Sequence, residues 1–229
     1  MALASNIGKS LIAAAPALAP AAVGGLLRRI VDAAINGTGP LPAARTSAGH
    51  HLEKHAGDVE KAIDALVYQH VAMGGAQGFV TNLGGFATAV ASIPANLTGV
   101  AVVQSRMVAC IAHLRGYDLD DSRVRAALLM TLLGRNEVDE LVGQGVLPST
   151  PMGVATSPAL DAALEQQIAE KVVTSLMARI GGKQTVAFIG KRIPVIGGGV
   201  GGIADGYTTL AISRYARQQF VSRRTQIQA

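Results

Sequence analysis

Few residues in this chain could do chemistry, and most of them stand where that chemistry lacks a partner. Gly197-x-Gly199-x-x-Gly202 has the spacing of a dinucleotide-binding turn. Such a turn needs a strand before it and an acid about 20 residues later for the ribose. No acid follows Asp205, and no strand pattern precedes the glycines. Gly8-Lys9-Ser10 ends like a phosphate-binding loop, but Leu3 stands where its first glycine belongs. Gly182-Lys183-Gln184 lacks the hydroxyl that would hold magnesium. His51 and His55 are one helical turn apart beside His50, but a zinc hydrolase needs its glutamate directly after the first histidine, and Glu53 comes one place late.

The remaining candidates sit on apolar stripes. Cys110 has His113 three residues on, a spacing that suits a thiolate–imidazole pair. However, it repeats in helical register with Val100, Val103, Met107 and Leu114, which marks core packing. His70 shares a face with Val59, Ile63 and Leu66 and reads as a core histidine. With Asp205 it forms the one candidate polar site. Asp118, Asp120 and Asp121 would suit a cation, although Asp120 and Asp121 precede Ser122 as helix caps. No G-x-S-x-G turn occurs. No catalytic residue, metal or cofactor is assigned.

The elements that position these residues are helices. No useful run of period-two alternation occurs, so the expected class is all-α, a single domain of Ala- and Gly-rich packed helices. Residues 1–45 read as a helical arm and linker, and 46–229 as the main helical domain. Lys9, the apolar run Leu11–Ala19 and the small residues Ala17 and Ala19 imitate an export signal. Pro16 and Pro20 break that pattern, which favours helices over 3–15 and 21–36. Residues 36–49 read as a linker, followed by a long helix from His51 to Met73. A helix with Pro94 in its first turn ends at Arg115-Gly116. Helices over Ser122–Leu133 and Glu137–Leu141 come next, then a loop over Gly143–Ser157. Ser157-Pro158 predicts the start of a helix carrying Leu160, Leu164, Ile168, Val172, Leu176 and Ile180. A final helix runs from Pro194 to about Arg223.

Composition narrows the function. Hydrophobic residues make up 49% and charged residues 15%, with aromatics at 3% and no Trp, which argues against a base-stacking surface. A single cysteine excludes an intrachain disulfide and fits a reducing, cytoplasmic setting. From Ala65 to Ser105 there are 41 residues without a formal charge. That length could span a bilayer as a hairpin. Interior glycines at 74, 75, 78, 84 and 85, each costing roughly 1 kcal/mol in a helix, favour a buried helical hairpin.

Charge is uneven as well. Residues 181–229 hold seven lysines and arginines against Asp205 alone, whereas 1–180 hold 13 basic and 14 acidic residues. Lys191, Arg192, Arg214, Arg217, Arg223 and Arg224 therefore form the expected contact to an anionic surface. Nucleic acid would answer to the same charge, but no recognition motif accompanies it, so it is not expected as a partner. Between these cations, Gly197, Gly198, Gly201, Gly202 and Gly206 form a small-residue stripe, a glycine-zipper face suited to close helix packing. The alternative use of the stretch is an anion held by free amides in its first turn.

Four segments together carry a pattern: His70–Phe79 (HVAMGGAQGF), Pro94–Asn96, Met107–Asp121 (MVACIAHLRGYDLDD) and Arg192–Tyr207 (RIPVIGGGVGGIADGY). In this order over residues 50–222 the chain resembles the EcsC family of bacterial proteins, in its actinobacterial form. The resemblance implies a connection with membranes or secretion, through the neighbourhood of an ABC transporter, and supplies no catalytic residues. The expected function is therefore a non-enzymatic, membrane-associated or lipid-interacting helical protein, cytoplasmic and peripheral to the membrane, linked to transport or secretion. The alternatives are an assembly module, self-associating as a homo-oligomer or serving a membrane-protein transporter, and an enzyme built on His70, Cys110 or the carboxylates of 118–121.

Overall fold

A computed structural model describes residues 30–37, 42–83, 101–172, 174–175 and 194–223; for 74–83 and 194–205 it describes the course of the helix alone. Among the described residues there are helices and no strands. In chain order they are α1 (30–36), α2 (Ala44–Lys54), α3 (Val59–Leu83), α4 (101–114), α5 (Ser122–Leu133), α6 (Arg135–Gly143), α7 (Pro151–Ala155), α8 (162–172) and α9 (Pro194–Gln219).

The boundaries follow local chemistry, and three differ from the sequence expectation. The long helix expected from His51 is two helices, and its first turns lie in the expected linker. Ala56 and Gly57 both take positive φ, and Gly57 N–H closes on Leu52 O at 2.9 Å, a left-handed stop. Asp58 then restarts the chain by accepting the Lys61 amide at 3.0 Å. Within the expected loop 143–157, Thr150 accepts the Gly153 amide and Pro151 opens the short α7. The next helix starts after Asp161, whose carboxylate accepts the Ala163 amide at 2.9 Å, four residues later than Ser157-Pro158 predicts.

α4 is the axis of the core, with every residue from 101 to 112 buried. Contacts along its length fix its neighbours. Glu60 of α3 pairs with Arg115 at 2.7 Å, at the end of α4. Gln104 donates to Thr209 of α9 at 3.2 Å, and Arg115 Nη1 reaches Phe220 O at 3.4 Å. Asp64 of α3 holds Arg217 of α9 at 2.6 Å, while Gly206 lies against Val71. These pairs make α3 antiparallel to both α4 and α9, and α4 parallel to α9. The C-terminus of α3 and the beginnings of α4 and α9 therefore gather at one end of the bundle. α2 lies against both α3 and α4: His51 meets Gln69 of α3, while Ala44 and Ala48 are small enough for close approach to α4, where Cys110 Sγ donates to Ala44 O at 3.4 Å.

α5 is buried over Val124 and Ala126–Leu133 and depends on its first turn. Asp121 is the N-cap: its Oδ1 accepts the Arg123 amide at 2.8 Å, and the Arg123 side chain closes on it at 2.5 Å. The Arg123 side chain holds the Asp121 carboxyl below the usual carboxylate range. Asp121→Ala is expected to lower stability by about 1–2 kcal/mol, and Asp121→Asn by clearly less, because the amide oxygen still caps. Urea unfolding midpoints of the two variants check the order.

Candidate functional site

Opposing sides of α3 and α9 carry opposite chemistry. In an α-helix, two residues along is roughly 200° around the axis. On α3, Tyr68 lies two residues before His70, and on α9, Tyr207 lies two residues before Thr209. His70 and Thr209 face inward and are buried; the tyrosines are 79% and 69% exposed. Both rings thus stand on the outer face of the α3–α9 pair, the face turned away from α4. Seven residues along, two turns on the same stripes, come Lys61 on α3 and Arg214 on α9, both exposed.

The order along this face is set by the topology. The tyrosines lie nearer the end where the uncharged stretch leaves α3 and α9 begins. The cations stand about 10 Å further from that end, at 1.5 Å per residue. Lys61 is paired to Asp58 at 3.0 Å, while Arg214 has no ion pair among the described residues.

Inside, between α3 and α4, lies a polar group of unusual make-up. His70 donates from Nδ1 to Leu66 O at 2.8 Å, and its Nε2 is buried without a partner. Burial, then the Arg106 charge, lowers its pKa to about 4 against the pull of Leu66 O, so the ring is neutral. Arg106 is 3% exposed, and its Nε and Nη1 have no hydrogen-bond partner; desolvation lowers its pKa. Burial pushes the Cys110 thiol up to about 12, more than the nearby Arg106 charge can offset. A thiolate nucleophile is thereby suppressed at neutral pH.

The carboxylates of 118–121 are occupied by arginines. Asp120 pairs with Arg45 at 2.8 Å, Asp121 with Arg123, and Asp118 accepts the Asp120 amide at 3.0 Å. His55 falls in the turn beyond α2, so the expected one-turn histidine pair is not on one helix, and His51 Nε2 meets Gln69 Oε1 at 2.9 Å. Among the described residues no cluster of three or more His, Cys, Asp or Glu could hold a metal. A shallow groove of about 750 Å³ between α6 and α9 has arginines and glutamates on its walls, with Arg135 stacked 5.6 Å over Tyr215. Burial raises the Tyr215 hydroxyl to about 12.

The C-terminal cations occupy different surroundings. Arg217 is held by Asp64, and Arg223 stacks 5.3 Å over Tyr117 while its amide donates to Arg115 O at 2.8 Å. Arg214 is exposed on the tyrosine face. Lys191, Arg192 and Arg224 lie outside the described residues, as do the side chain of Asp205 and the surroundings of Gly197, Gly198, Gly201 and Gly202. Gly206 is described: a Cβ there would stand 3.9 Å from Val71, an ordinary contact.

Sequence reasoning missed Tyr68, Tyr207 and Arg106 as site residues. Arg106 had a readable mark: it is the first charge after the 41-residue uncharged stretch and lies one turn before Cys110. No described helix is long and apolar enough to cross a membrane. The model of one family, the EcsC protein family, matches residues 2–224. No match was found among curated proteins or among solved structures.

Proposed function

The chain belongs to the EcsC protein family, and we propose that it is a non-enzymatic helical protein that docks on an anionic membrane surface by one end of its bundle. One observation carries this reading: the outer face of α3 and α9 presents Tyr68 and Tyr207, with Lys61 and Arg214 two turns further along the same stripes. Tyrosine has an apolar body and a polar tip, and it settles at the level where acyl chains meet headgroups. Cations one step further out then face the phosphates. A free cation is worth roughly 1 kcal/mol near an anionic surface; Lys61 is paired to Asp58, so Arg214 supplies most of this contribution. Attachment of that strength is reversible, and the two rings and the uncharged stretch that leaves α3 supply the remainder.

Flotation of the protein with liposomes tests the reading. The protein is expected to float with vesicles containing anionic lipid and to sediment with purely zwitterionic ones. Joint Tyr68→Ser and Tyr207→Ser substitution is expected to cut the bound fraction at least fivefold, with stability little changed because both rings are exposed. Flotation with neither vesicle, or equal flotation of the double variant, would overturn it.

A further inference from the structure

The seam between α2 and α3 does not close completely. It leaves a groove of about 480 Å³ with Tyr68 on its rim. That volume falls within the roughly 300–1,000 Å³ of small-molecule sites. Helical spacing builds the walls. His50 and Lys54 stand one turn apart on α2, and Asp64 and Tyr68 one turn apart on α3, with Gln69 beside them. Ala65, one turn before Gln69, is too small to fill the space.

The polar groups on these walls are held in place, yet several have capacity to spare. His51 Nε2 donates to Gln69 Oε1 at 2.9 Å, which ties α2 to α3. The His50 ring stands edge-on to His51 with centroids 6.1 Å apart. With its oxygen engaged, Gln69 still has amide N–H groups to donate. Lys54 is exposed, and no acid meets it among the described residues. Asp64 is the one acid among the described residues of the walls. Its Oδ1 is 2.6 Å from Arg217, which matches its charge, while its Oδ2 has no partner among the described residues. The groove thus offers a free ammonium, an imidazole and an amide as donors, and one carboxylate oxygen whose charge is already matched.

A bare phosphate or sulfate would use the donors and leave Asp64 Oδ2 facing an anion. A headgroup with its own ammonium would bring a cation to an acid that Arg217 has neutralised. A phosphate that carries hydroxyls answers both kinds of wall: its oxygens accept from Lys54 and His50, while a hydroxyl donates to Asp64 Oδ2 and accepts from Gln69. We propose that the α2–α3 groove binds a glycerol phosphate group. As a lipid headgroup this ligand rests on the membrane reading, because Tyr68 on the rim sets the groove at headgroup depth; free glycerol phosphate carries the same chemistry.

Flotation with phosphatidylglycerol and phosphatidylserine vesicles of equal lipid charge tests the headgroup, and calorimetric titration with glycerol 1-phosphate tests the free group. Phosphatidylglycerol is expected to bind the protein at least fivefold more tightly than phosphatidylserine. Lys54→Gln removes the ammonium, and Ala65→Leu fills the groove without changing any charge. Both variants should float equally on the two vesicles, and both should bind glycerol 1-phosphate at least fivefold more weakly wherever the natural protein binds it. Preference on vesicles without binding of the soluble probe identifies a lipid headgroup as the source. Saturable binding of the soluble probe without flotation on any vesicle identifies the free compound, and overturns the membrane reading while the site stands. Equal flotation of the natural protein on both vesicles, with no saturable binding of glycerol 1-phosphate, would overturn the site and leave the membrane reading intact. Neither flotation nor soluble binding would overturn both, and undiminished preference or binding in either folded variant would overturn the site.

Discussion

Phe220→Ala is expected to lower the unfolding free energy by about 3–5 kcal/mol, the range for emptying a buried phenylalanine site. Phe220 is fully buried although it lies just past the end of α9. Its ring stands perpendicular to Tyr117 with centroids 5.1 Å apart, an edge-to-face pair worth about 0.5–1.5 kcal/mol beyond its burial. Around it, Arg115 joins three elements. It pairs with Glu60, donates to Phe220 O, and accepts the Arg223 amide on its own carbonyl. Removing the ring therefore opens a cavity where α3, the end of α4 and the tail meet. Phe220→Leu keeps much of the volume and should lose less than half as much. Urea unfolding would show a lower midpoint for Phe220→Ala with an unchanged slope. Proteolysis at Arg223 should also accelerate, because its stacking partner Tyr117 loses support. A loss below 1 kcal/mol would mean that the ring does not close this end of the bundle.

The second large effect is a loss of stability in mild acid. In the folded protein His70 has a pKa of about 4, against an ordinary value of 6.5, chiefly through burial. The unfolded chain therefore takes up a proton near pH 6.5 that the native state refuses until about pH 4. The unfolded state is stabilised relative to the native one across that window. The stability linked to His70 is complete above pH 6.5 and falls away as the pH drops to 4. A displacement of this size, at 1.36 kcal/mol per unit, corresponds to roughly 3 kcal/mol. Asp58 and Asp121, whose carboxyls are lowered by hydrogen bonds to Lys61 and Arg123, give up their contributions at lower pH still. The window therefore separates the histidine from the acids. Unfolding midpoints from pH 7 to 4 should fall steeply in the natural protein and much less in His70→Gln. Equal slopes in the two proteins would assign the acid sensitivity elsewhere.

The helical class was legible because the patterning left no competing period. Val59, Ile63, Leu66 and His70 share one face in the sequence and pack inward together in the fold. The break between α2 and α3 was less visible. Apolar repetition continues across it, and the deciding event is a left-handed turn at Ala56, a residue that seldom adopts one. Gly57 and Asp58 were the readable marks of that stop and restart. Pro151 lies within the expected loop Gly143–Ser157, although behind Thr150 it serves as a first helical residue. Charge could be counted from the sequence but not apportioned. Nothing local distinguishes Arg217, which meets an acid 153 positions away, from Arg214, which faces solvent. The outer tyrosines escaped notice for the same reason: with two helices, periodicity gives two faces, and only their register shows that they coincide.

The parallel pairing of α4 with α9 also has a consequence in time. α4 is buried on every side, and the contacts that cover its α9 side, Gln104 to Thr209 and Arg115 to Phe220, each bridge 105 positions. At about 5–20 residues per second of synthesis, roughly 5–20 s separate the making of α4 from the making of its cover. A nascent chain spends that interval with one side of its central helix bare. The C-terminal helix thus governs the moment at which the rest of the polypeptide stops being sticky, and a ribosome that stalls before residue 194 would leave a chaperone client in place of a folded protein.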